Sequence, residues 1–195
     1  RELVKAYIHG VESAALDDVF EQVEFFVDAV SDYKSDFVLF PEYFNAPLMA
    51  KFNHLGEAQS IRGLAQYTEE IRERFVNLAI SYNINIITGS MPLLKEDGAL
   101  YNVGYLIRRD GSYEMYEKVH VTPDEQKSWG LSGGKMVKTF DTDCARIGVL
   151  ICYDVEFPEL SRIMADQGMQ ILFVPFLTDT QNGYSRVRVC AQARA

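Results

Sequence analysis

Short apolar runs alternate along the chain with stretches of helical periodicity, and this alternation constrains the fold more than any other feature. "FVLF" at 37–40 has no polar residue, as expected of a strand covered on both faces. "INIITGSM", the run Ile147 to Ile151 and "QILFVP" read as further buried strands, and "LVKAYIHGVE" reads as an opening strand with alternating apolar residues. Between them, Leu16, Val19, Phe20, Val23, Phe26, Val27 and Val30 recur at spacings of three and four, one face of an amphipathic helix. One long helix is expected next, with Leu64, Tyr67, Ile71, Phe75, Leu78 and Tyr82 as its inner stripe. "LYNVGYLIR" and "YEMYEK" flank "RRDGS", and Asp-Gly between apolar runs signals a hairpin. "KTFDT" precedes the run that ends at Cys152, a helix is expected from about Pro158 to Gln167 with Gly168 past its end, and a last helix from about Ser185. Strands alternating with helices, with a hairpin inserted, predict an α/β fold.

Composition narrows the function classes. The 195 residues amount to about one domain, and with 48% apolar residues they can fill a sizeable core. A net charge of −9 opposes nucleic acid or an anionic membrane as the main partner, and no run has the length of a membrane span. Three cysteines, Cys144, Cys152 and Cys190, form no CxxC pair and no disulfide framework, which fits a reduced, cytoplasmic setting. His9, His54 and His120 lie too far apart for a zinc site, so no metal is expected.

Three ionisable residues stand just beyond three strands: Glu42 after "FVLFP", Lys118 closing "YEMYEK", and Cys152 after "GVLI". Sites in open α/β sheets form beyond the carboxyl ends of strands, so these groups are placed to converge. A single glutamate, lysine or cysteine in such a place is more often surface or core, and it is the combination that points to chemistry.

"DFVLFPE", "YEKVHVTPDE" and "ICYDVEFPEL", in that order, resemble the three signatures of the nitrilase, or carbon–nitrogen hydrolase, superfamily. The resemblance spans nearly the whole chain. It implies an α-β-β-α sandwich, expected to arise when subunits dimerise, and no cofactor. It implies Glu42 as general base, Lys118 as the cation facing an oxyanion, Cys152 as nucleophile, and Glu125 beside the lysine and substrate. The backbone of Tyr153 would help hold the oxyanion. Tyr43, Phe44, Trp129, Phe157 and Phe176 either wall the pocket or pack in loops. Cys144 and Cys190 are expected to be structural, and His120 to pack or hydrogen-bond nearby. The implied substrate is a small amide, nitrile or carbamoyl amine, and the implied assembly a homodimer or higher homo-oligomer. Members continue past "ARA" and some carry an acyltransferase-type domain before this one. Residues 1–195 are therefore expected to be one carbon–nitrogen hydrolase domain, truncated at the C-terminus, of what could be a larger parent protein. Three other readings stay open: acyl transfer through the same thioester, a silent binding member of the fold, and a Cys–His hydrolase using His120.

Overall fold

A computed structural model describes residues 15–178 and 180–195. The opening strand expected in "LVKAYIHGVE" lies outside the described residues. Helix α1 spans Leu16–Asp32 and buries Leu16, Phe20, Val23 and Val27, the expected stripe. Phe26 departs from it: with Phe25 it stands exposed, the two rings meeting edge to face. The buried stripe already closes the face with Phe20 against Phe75, and one position further round the helix turns Phe26 to solvent.

β1 (Phe37–Leu39) runs parallel to β2 (Asn85–Ile87), and two helices cross between them. The single long helix expected here is two, α2 (Glu57–Ala65) and α3 (Thr68–Ser81). The chain bends at Gln66 and Tyr67, where the fully buried Thr68 hydroxyl donates to the Pro92 carbonyl at 2.6 Å and pins the start of α3 to the sheet. The apolar period survives the bend, since Leu64, Ile71 and Phe75 are all buried.

β3 (Met91–Leu94), β4 (Leu100–Ile107) and β5 (Tyr113–Glu117) complete an antiparallel region, and β6 (Leu131–Ser132) adds a short parallel pairing to β4. The Asp-Gly hairpin forms as read, with Gly111 N–H donating to Arg108 O at 2.9 Å. A second sheet holds β7 (Thr139–Asp141), β8 (Arg146–Val149) and β9 (Ile171–Phe173). β8 and β9 are parallel, joined by α4 (Pro158–Asp166), and α5 (Gln181–Arg194) begins four residues earlier than expected because the Thr180 hydroxyl caps it at Gly183 N–H.

Alternation along the strands sorts the core into layers. Val103, Tyr105 and Ile107 of β4 face α1 and α3, whereas Leu106 faces the second sheet, where Ile87 and Tyr116 meet Phe140, Ile147 and Val149. On the far side of the second sheet, Leu160 and Met164 of α4 pack against Leu150. The four layers, helices, sheet, sheet and helix, therefore lie within one chain. The α-β-β-α sandwich is an intramolecular arrangement, and the expectation that dimerisation creates it is corrected.

Two strands are less covered than their composition suggests. Leu39 of β1 and Ile171 of β9 are 40% and 39% exposed, both at sheet edges among the described strands. An apolar run marks a strand able to be covered on both faces, but coverage is decided by what lies opposite.

Gly89, just after β2, sets the position of the segment that carries Glu42. It has φ +67°, and an added Cβ would lie 2.0 Å from the Pro41 carbonyl oxygen. Gly89→Ala is therefore expected to lower unfolding free energy by about 2–5 kcal/mol, from left-handed strain plus overpacking. Denaturant unfolding measures this, and an unchanged midpoint would contradict the tight approach.

Candidate active site

Each functional side chain leaves a strand and is then held by backbone. Glu42 lies three residues past β1, Lys118 directly follows β5, and Cys152 lies three residues past β8, opening a short 3₁₀ turn, Cys152–Glu156. Tyr43 and Cys152 both have positive φ, +51° and +48°. For residues with a Cβ this costs on the order of 1 kcal/mol or more each, and such strain persists only where the surroundings hold it. At Cys152 the hold is its own N–H donating to Pro175 O at 2.9 Å. The result is a thiol raised on a sharp strand-to-helix turn, not in the strand itself.

Lys118 is 1% exposed and lies between two carboxylates. Its Nζ is 2.8 Å from Glu42 Oε1 and 2.8 Å from Glu125 Oε2. Glu125 opens a single π-helical turn, Glu125–Trp129, ended by Gly130 in the left-handed conformation. Its Oε2 also accepts from Thr122 N–H at 2.7 Å, and its Oε1 from the Tyr43 hydroxyl at 2.8 Å. The second oxygen of Glu42 accepts the Leu177 N–H at 3.0 Å, and the Cys152 thiol points to the Leu177 carbonyl at 3.8 Å. The backbone after β9 therefore grips both the carboxylate and the thiol.

Burial pushes the Glu42 carboxyl above the ordinary carboxylate range; the Lys118 ammonium pulls against this without cancelling it, and Glu125 adds to the rise. Burial acts on Glu125 in the same sense, but Lys118 and the donors from Thr122 and Tyr43 outweigh it and hold Glu125 below the ordinary range. Burial would lower Lys118, yet the two carboxylates raise it above a free lysine. Burial and the nearby Glu42 push the Cys152 thiol well up, with Lys118 opposing. The electrostatics thus separate two neighbouring carboxylates into one able to carry a proton and one that stays charged. The lysine stays cationic, and the thiol rests protonated beside the Glu42 carboxyl.

The aromatic candidates divide. Tyr43 belongs to the cluster through its bond to Glu125, and Trp129 meets its ring edge-on at 5.4 Å. Tyr153 and Phe157 pack together beside the elbow, and Phe157 stacks on His120 at 3.7 Å. Phe44 joins the helix-side core with Phe40 and Phe75, and Phe176 is half-buried near Tyr184 of α5. Cys144 is exposed in the turn between β7 and β8, so it is no core residue, and Cys190 is half-buried. Among the described residues no cluster of His, Cys, Asp or Glu is placed to hold a metal ion, and no helix is long and apolar enough to cross a membrane.

Sequence reasoning missed three participants. Asn102 is fully buried and donates to both carboxylates. Leu177 acts only through its backbone, which leaves no side-chain signal. Asp154, two residues past the cysteine and 1% exposed, accepts from Val119 N–H at 3.2 Å, His120 N–H at 2.7 Å and the His120 ring at 3.1 Å. It ties the turn that opens at Cys152 to the segment bearing Lys118. Its position inside "CYDVE" was the one available signal.

The four-layer sandwich and the buried acid–lysine–cysteine cluster together define a nitrilase-like protein. The carbon-nitrogen hydrolase family model matches residues 6–195, and the chain belongs to that family. It is 48% identical over 181 residues to a probable hydrolase, YhcX, of Bacillus subtilis, covering 93% of this chain and 35% of that protein. It is 31% identical over 206 residues to the human omega-amidase NIT2, covering 99% of this chain and 68% of the relative. A carbon-nitrogen hydrolase from Helicobacter pylori G27 superposes with a TM-score of 0.76 at 22% identity, over 94% of this chain and 65% of that one. An amidase from Nesterenkonia sp. gives the same TM-score at 21% identity, over 94% and 67%. The chain thus spans about a third of the Bacillus relative and about two thirds of the others.

Asp154→Ala is expected to lower unfolding free energy by roughly 2–4 kcal/mol, because charge-assisted bonds to two backbone N–H groups are lost together. Amide hydrogen exchange at Val119 and His120 should rise in step, and unchanged protection there would exclude the tie.

Proposed function

We propose that this domain hydrolyses a non-peptide carbon–nitrogen bond, that of a small amide in the first instance, through a thioester on Cys152. The observation that carries the reading is the buried ammonium of Lys118 between Glu42 and Glu125, with the Cys152 thiol beside Glu42. Glu42 takes the thiol proton as the sulfur attacks the carbonyl carbon, an activation a protonated thiol requires. The growing oxyanion is held by the Lys118 ammonium and the Tyr153 N–H. Glu42 passes its proton to the departing nitrogen, the carbon–nitrogen bond breaks, and ammonia or an amine leaves. A water then gives its proton to Glu42 and attacks the thioester. The acid departs and the proton returns to sulfur. Glu125 stays anionic throughout and keeps Lys118 charged and in place.

Amides are favoured because the human relative is named an omega-amidase and another, from Synechocystis, a deaminated glutathione amidase. The cations and anions acting on the thiol are Lys118 and Glu42, whereas His120 is engaged with Asp154 and Phe157, which supports the lysine-based reading over a Cys–His pair. The same reading takes residues 1–195 as one domain, in a cytoplasmic protein with reduced thiols, and as a homodimer or higher homo-oligomer. Exposed Tyr184 and Val189 on α5 offer apolar surface for the last of these.

Cys152→Ala in the full-length protein should retain less than about a thousandth of wild-type ammonia release over a panel of amides, nitriles and carbamoyl amines, with folding preserved. Retained turnover would sink the thioester route. Release that appears only when an amine acceptor is supplied would favour acyl transfer. Turnover should also fall on acidification, as Glu42 takes up a proton before the thiol can deliver one. Because its pKa is raised, this limb lies above the ordinary carboxylate range, and an activity profile flat down to that range would exclude Glu42 as the base.

A further inference from the structure

We propose that Asn102 is a positioning residue that keeps Glu42 ionised as a base by donating its side-chain amide to both carboxylates of the site; this rests on the hydrolase reading above. Along β4, Asn102 shares its face of the strand with Leu106, which packs against the second sheet. Asn102 is fully buried there. Its Nδ2 lies 3.1 Å from Glu42 Oε1 and 3.4 Å from Glu125 Oε1. Its backbone carbonyl accepts the Lys118 N–H at 2.9 Å. One residue therefore holds the lysine's backbone and both partners of its ammonium.

The chemistry of the cluster explains why an amide suits this place. Glu42 is faced by Lys118 from the end of β5, by Glu125 from the π turn, by Cys152 from the elbow, by the Tyr43 hydroxyl on its own segment and by the Leu177 N–H. Lys118 is the one cation in that set, and it is shared between two anions that repel each other. A neutral N–H₂ adds the positive end of a dipole at both Oε1 atoms without adding charge. A second cation would hold Glu42 ionised too firmly to accept the thiol proton. A hydrocarbon or a third carboxyl would leave Glu42 protonated up to a higher pH. A hydrogen bond to the charged form favours that form, so losing it raises the carboxyl's pKa.

The test compares Asn102→Leu and the isosteric Asn102→Asp with wild type in the full-length protein. The rate of iodoacetamide labelling of Cys152 is followed across the acid-to-neutral range by mass spectrometry, with exposed Cys144 as internal control. Turnover of the best amide is profiled alongside. The low-pH limb of Cys152 labelling should move up by about one pH unit in Asn102→Leu, roughly a tenfold loss of rate on the limb. It should move further in Asn102→Asp and recover at higher pH in both. If Asn102→Leu fails to fold, Asn102→Asp alone decides. An unmoved limb, with rates unchanged or lowered equally at every pH, overturns the proposal and leaves Asn102 a packing residue. Glu42→Gln separates the two levels: in the hydrolase reading it abolishes the limb and the turnover. If Glu42→Gln keeps the wild-type limb, the hydrolase reading fails and the proposal with it. If the limb vanishes in Glu42→Gln and stays put in the Asn102 variants, the proposal alone fails.

Discussion

One ammonium withdrawn from water organises this molecule. An isolated charge at the depth of Lys118 would be untenable, costing on the order of several kcal/mol even after relaxation, or else it would give up its proton. It is retained because Glu42 and Glu125 reach it from different parts of the chain, Glu42 from 76 residues away and Glu125 from 7. Each carboxylate in turn would be intolerable there without the lysine and its backbone or side-chain donors. The cluster is a mutual condition in which no member is stable alone, so the elements carrying its members must arrive together.

That condition explains features that otherwise look like irregularities. Tyr43 and Cys152 accept left-handed backbone, Gly89 lets Pro41 approach, and Glu125 sits on a π turn. These are the places where regular strand or helix would aim a side chain elsewhere. The strain is held by backbone donors and acceptors at Pro175, Leu177 and Thr122 and by the buried carboxylate of Asp154. The split between Glu42 and Glu125 follows from the same geometry. Both are buried against one cation, but Glu125 has more donors and Glu42 has the neighbouring thiol.

Much of the fold was legible in the chain. The stripes of α1 and α3, the Asp-Gly hairpin and the strand exits at Glu42, Lys118 and Cys152 all rest on local rules of period and turn chemistry. The misreadings were tertiary in cause. Nothing in the periodicity of Leu64 to Tyr82 reports that Thr68 will be pinned to Pro92 and the helix bent. The exposure of Phe26, Leu39 and Ile171 depends on whether another surface lies opposite. The four layers were assigned to two subunits on the family resemblance, and strand patterns, which do not say which sheet a strand joins, gave no means of correcting it.

By itself the sequence determined which residue types stand at which strand ends, and so which acid, lysine and thiol are available for chemistry. Their order and spacing also carried the family. Only the tertiary structure decided that β8 and β9 form a separate sheet facing the first, that Asn102 and the Leu177 backbone close around the carboxylates, and that the two glutamates differ in proton affinity. The physical reason is range. Propensity and periodicity act over a few residues, whereas burial, ion pairing and proton affinity depend on groups brought near by the packing of elements distant in the chain.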